Sequence, residues 1–141
     1  MMEMVVAEVA FDERRHETFA VLRERGGATE YAVRVSGHTA ALIQATLQGR
    51  QFPRPLTYDL LLSVTGALGA RFARAVLETG PQDGVEAFLD VQAGAAGILE
   101  VPCSVEDAVG VAACARVQVV LSDNLTGRLG ETGRPLGDPP A

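Results

Sequence analysis

Hydrophobic and polar positions alternate along much of the chain, and short helical periods interrupt the alternation. MVVAEVAF (4–11) is β-branched and apolar and predicts a strand. HETFAVLRE (16–24) alternates and predicts a second, and YAVRV (31–35) a third. The Gly-Gly of ERGGATE turns the chain between them, so 16–35 reads as a hairpin. Ser36 then caps a helix to about Gln48, with Ala40, Ile43 and Leu47 on one face and Gly49 as its stop. Pro53 and Pro55 force 50–56 out of helical geometry. Thr57 caps a second helix whose inner face would carry Leu60, Leu61, Val64 and Leu68, ending at Gly69.

The second half repeats the rhythm. RFARAVLE (71–78) and VEAFLDVQA (85–93) flank the turn GPQDG, and Val85, Ala87, Leu89 and Val91 share one side of the second strand. After the GAAG turn, ILEV (98–101) predicts another strand. Ser104 caps a third helix over SVEDAVGVAACAR with Val105, Ala108, Val109 and Ala112 inward, and VQVVL (117–121) closes as a last strand. From Gly130 the chain has three Gly and three Pro and no apolar period, which reads as a disordered tail. The expected organisation is one domain over 1–128 with a tail over 129–141. Its class is α+β: a mostly antiparallel or mixed sheet built from hairpins, with three main helices packed on it.

Composition narrows the function. The 141 residues are 48% hydrophobic and 21% charged, an ordinary globular balance. Net charge is −6, and all twelve basic residues are Arg. An acidic balance argues against a broad non-specific grip on nucleic acid but leaves room for a local arginine site. There is no GxGxxG after a strand and no GxxxxGK[ST], so nucleotide loops of those kinds are not expected. Cys103 and Cys114 have no metal-type spacing and read as reduced thiols. No stretch has the roughly 20 apolar residues that span a bilayer, and the N-terminus is not a signal peptide. No membrane association and a cytoplasmic location are therefore expected.

Three polar constellations stand out. Arg54 sits between two prolines just before Thr57 and Asp59, where planar guanidinium donors and a helix N-terminus can form a small anion site. The same residues also suit plain helix initiation, with Thr57 as cap, Asp59 answering the dipole and Arg54 pairing with it. Ser104, Glu106 and Asp107 put a hydroxyl beside paired acids, which suits a hard cation or acid–base work. They also suit a capping box, with Asp107 reaching back to the Ser104 N–H and Glu106 on the solvent side. His38 follows the first cap and reads as a surface residue.

The order of these segments resembles the bifunctional nuclease domain family, small bacterial and plant domains. Family members carry Ile-Gly-x-x-Glu-Ala at a helix start, then Arg-Pro-x-Thr-His-Asp-Leu, an acidic hairpin, Arg-Pro-Ser-Asp-Ala and a last strand. The counterparts here are VSGHTAALI (35–43), RPLTYDLL (54–61), DGVEAFLDV (83–91), SVEDAV (104–109) and VQVVL (117–121). Arg54, Pro55, Thr57, Asp59, Asp107 and Ala108 match the pattern. Tyr58 replaces its His, Thr39 its Glu, and Ser104, Val105 and Glu106 its Arg-Pro-Ser. The resemblance implies a domain that forms homodimers and hydrolyses DNA or RNA phosphodiester bonds. It implies Arg54, Asp59 and Asp107 as catalytic residues, and Arg54, Thr57, Tyr58 and Ser104 against the substrate. Asp59, Asp107 and Glu106 would hold Mg²⁺ or Mn²⁺. The alternative on the same scaffold is a non-catalytic dimeric interaction or regulatory module.

Overall fold

The computed structural model describes residues 1–50 and 56–132, and side chains through residue 127. Its strands are β1 (Met2–Asp12), β2 (Glu17–Glu24), β3 (Glu30–Val35), β4 (Arg71–Thr79), β5 (Val85–Gln92), β6 (Ile98–Cys103) and β7 (Val119–Leu121). Its helices are α1 (Gly37–Leu47), α2 (Thr57–Ala67), α3 (Val105–Ala115) and α4 (Asp123–Thr132). The strands form one mixed sheet in the order β3-β2-β1-β7-β4-β5-β6. This is the α+β class expected from the pattern, with one helix more than the three anticipated.

The same plan occurs twice. An antiparallel meander of three strands leads into a serine-capped helix, first β1-β2-β3-α1 and then β4-β5-β6-α3. In each meander the first strand carries an irregularity, between Val6 and Glu8 and between Phe72 and Arg74. An extra residue at such a point bends a strand and increases its twist. β7 joins the halves, antiparallel to β1 and parallel to β4. Its three residues are all buried.

Burial of one sheet face against α1 and α3 makes the core. Met4, Leu22, Val33, Leu77 and Leu121 from the strands meet Ile43, Val109 and Val111 from the helices. α3 is the central helix, buried from Ala108 through Ala113. Its small side chains let it sit close to the sheet, where apolar burial contributes about 25 cal/mol per Å². On the other face Asp90 is buried, and Arg74 Nε donates to its Oδ2 at 2.6 Å. None of the described helices is long and apolar enough to cross a membrane.

Four local expectations change. Leu56, not Thr57, is the cap of α2: its carbonyl takes the Leu60 N–H at 2.7 Å, and its side chain packs against the core. Anchoring an apolar residue there outweighs a hydroxyl cap. α2 also turns the other way round: Tyr58 and Leu62 face inward, whereas Leu60, Leu61, Val64 and Leu68 are exposed. The last strand is shorter than 117–121, because Val117 N–H closes the end of α3 on the Ala112 carbonyl. Residues 129–132, assigned to the tail by composition, belong to α4, and 133–141 lie outside the described residues.

Candidate active site at three helix starts

The first turns of α1, α2 and α3 meet at one place. Ser36 Oγ accepts from Thr39 N at 3.2 Å and starts α1. Ser104 Oγ accepts from Asp107 N at 3.0 Å and starts α3. α2 begins without a side-chain cap bond. Tyr58, its second residue, is 5% exposed and points at both neighbours. Its hydroxyl donates to Asp107 Oδ1 at 3.0 Å and lies 3.4 Å from Thr39 Oγ1. Thr39 is itself buried. Glu106 reaches across to α1, where its Oε1 accepts the Ser36 N–H. The positive ends of three helix dipoles therefore surround two carboxylates, an arrangement that favours negative charge.

Gly110 makes the ring's position possible. A Cβ at 110 would clash with the hydroxyl-bearing edge of the Tyr58 ring, 2.7 Å from its hydroxyl oxygen. A glycine inside a helix costs about 1 kcal/mol relative to alanine, so it needs a packing reason. Here the reason is an aromatic ring lying directly on the α3 backbone.

Electrostatics follow from this packing. Burial, with smaller contributions from the charges of Asp107 and Glu106, pushes the Tyr58 phenol up to about 12 against the opposing Thr39 bond. Tyr58 is thus a hydrogen-bond donor and not a base at neutral pH. Burial alone would raise the Glu106 carboxyl, but the Ser36 and Thr39 donors and the nearby His38 outweigh it, and the result lies below the ordinary glutamate range. Burial likewise raises both thiols, with Asp107 adding to the effect at Cys103 and Asp59 at Cys114. Neither is poised as a nucleophile.

Two pH effects follow. Between pH 10 and about 12 the unfolded chain has lost the Tyr58 proton that the folded protein keeps, so stability falls as pH rises through that window. Titration of phenolate absorbance should show one tyrosine ionising near 12, and that step should vanish in Tyr58→Phe. For Glu106 the sign is opposite. Its folded value is depressed, so its contribution is complete above the ordinary range and is lost as pH falls below about 4. Glu106→Gln should cost about 1 kcal/mol at neutral pH and flatten the acid side of the stability profile, as read by thermal melts.

The candidates predicted from sequence separate into two groups. Tyr58, Ser104, Glu106 and Asp107 come together, and Thr57 lies beside them on a groove shared with Tyr58, Cys103 and Asp107. Asp59 lines a small cavity with Leu42, Thr46, Leu56, Tyr58 and Cys114. Tyr58 is the one residue lining both. Cys114 stands seven residues beyond Asp107 on α3, about 10 Å along the helix axis. Among the described residues no three His, Cys, Asp or Glu side chains are placed to hold a metal ion together. The trio of Asp59, Glu106 and Asp107 therefore does not form a cage. Glu106, half-exposed, is tied to the Ser36 amide of α1 and is not left free on the solvent side as the capping-box reading had it, and the Asp107 carboxylate takes Tyr58. Arg54 lies outside the described residues.

Sequence reasoning passed over the Ser36 amide, the Thr39 hydroxyl as a partner of Tyr58, and Gly110. Only Gly110 left a signal, as a helix-weakening residue in the middle of an apolar helix.

A family model described as bifunctional nuclease domain matches residues 20–131. The chain belongs to that family. No curated protein matches it.

Proposed function

We propose that this domain binds DNA or RNA and hydrolyses phosphodiester bonds at the junction of α1, α2 and α3. The observation that carries the reading is the family match, whose span of 20–131 encloses Thr39, Thr57, Tyr58, Ser104, Glu106 and Asp107. Backbone N–H groups at the α2 start, with no side-chain cap of their own, suit a phosphate oxygen. Asp107 is exposed, and Tyr58 takes only one of its roughly four lone-pair positions. The carboxylate accepts a proton from water as the water oxygen attacks phosphorus. The bond from phosphorus to the leaving sugar oxygen breaks, and that oxygen is protonated from solvent. Tyr58, a donor held by burial, fixes the carboxylate orientation. Glu106 ties α3 to α1 and keeps the two helix starts together.

Mg²⁺ or Mn²⁺ fits this place only as a partly hydrated ion on Asp107 and Glu106, the one or two carboxylates such ions use beside a substrate phosphate. It would neutralise phosphate charge. Arg54 joins the proposal on its sequence position, two residues before the α2 cap. In this reading the domain is a cytoplasmic homodimer, in keeping with two free, half-buried cysteines. The test is incubation of the purified chain with labelled single- and double-stranded DNA and RNA, with and without each metal. Cleavage that elutes with the protein and fails in Asp107→Ala supports the reading. Intact substrate under every condition overturns it.

A further inference from the structure

α2 buries its poorer stripe and displays its richer one. Leu60, Leu61, Val64 and Leu68 are 54%, 41%, 50% and 80% exposed, and no charged residue occurs from Leu60 through Ala70. β6 is the edge strand beside it. Val101 and Leu99 pair in register with the buried Leu89 and Val91, so they point to the helix side of the sheet, yet they remain 44% and 48% exposed. Between this strip and α2 runs an apolar groove of about 430 Å³ whose walls include Leu61, Val64 and Val101. It leads to Thr57 and Asp107. Exposed apolar patches of several hundred Å² mark interaction sites.

We propose that a second copy of this chain docks here, the α2 ridge of each protomer lying against the groove and β6 strip of the other. The inference names the contact for the homodimer in the reading above and does not depend on its chemistry. Three features single out a second copy as the occupant. An apolar ridge and an apolar trough lie side by side on one face, which is what a two-fold contact of identical patches needs. Covering the six exposed side chains removes on the order of 600 Å² per protomer. The pair then buries about 1,200 Å², the lower bound of a stable interface before any polar rim is added. The uncharged α2 face offers nothing to phosphate, so nucleic acid is not its partner.

Sedimentation of the full chain tests this. Wild type should run at twice 14.8 kDa. Leu68→Glu and Val101→Lys should each weaken the dimer by at least about tenfold. Circular dichroism should show both variants folded, Leu68 being too exposed to matter to the monomer. Phe11→Glu, equally exposed on β1 but away from the patch, should leave the dimer intact. A monomeric wild type overturns the homodimer reading together with this contact. A wild-type dimer that both charged variants retain overturns the contact alone. Neither result bears on cleavage, which is assayed separately.

Discussion

Asp107→Ala should lower phosphodiester cleavage by about a hundredfold or more while leaving a folded domain, because removing a positioned general base costs roughly 10²–10⁴ in rate. Asp107 is the exposed carboxylate of the network, Glu106 being partly buried. Its amide is held by Ser104 and its carboxylate by Tyr58, so its direction is fixed without being shut off from water. The loss of stability should be only about 1 kcal/mol, since the hydroxyl left behind by Tyr58 still has Thr39 within reach. Asp59→Ala, in the small cavity it shares with Thr46 and Cys114, should retain most of the activity. Steady-state rates on a labelled single-stranded substrate, with thermal melts of each variant, separate the two carboxylates.

Gly110→Ala should have the largest effect on stability. The added methyl group enters the space of the Tyr58 ring, and that ring is fixed by Thr39 and Asp107 at its far end. Overpacking of a filled core costs about 1–3 kcal/mol, set against a gain of about 1 kcal/mol in helix propensity. With the ring unable to swing aside, the net expectation is a loss of about 2 kcal/mol and a fall in Tm of roughly 6–10 °C. The double variant Tyr58→Ala, Gly110→Ala supplies the control. Once the ring is gone, alanine at 110 should be neutral or stabilising, and the coupling between the two sites is the measure of their contact. Equal losses from Gly110→Ala in both backgrounds would show that the ring is not what the glycine accommodates.

How much of this was legible depended on the range of the interactions involved. α1 and α3 could be read because each begins with a serine whose hydroxyl serves an amide three residues on, a bond within one turn. The meanders could be read because side-chain alternation and turn residues are equally local. α2 misled because it carries two apolar stripes, and periodicity cannot tell which one finds a partner; the choice of Tyr58 and Leu62 is made by α3 and its Gly110. α4 was missed because DNLTGRLGET has little apolar content and two glycines. In the site, Glu106 and Asp107 were visible as acids, but their partners are not neighbours in the chain. Ser36 is 70 residues from Glu106, and Tyr58 is 49 from Asp107. Asp59 and Asp107 line different cavities that share Tyr58, a placement set by packing between helices and not by spacing along the chain.

The claim on which the rest depends is that nucleic-acid phosphate sits where α1, α2 and α3 begin. Its most direct measurement is a titration of the isotope-labelled protein with a short oligonucleotide bearing non-cleavable phosphorothioate linkages, followed by amide resonances. The account predicts shifts concentrated at Gly37, Thr57, Tyr58, Val105 and Asp107. Shifts gathered instead at the opposite helix ends, around Leu47 and Arg116, would contradict it.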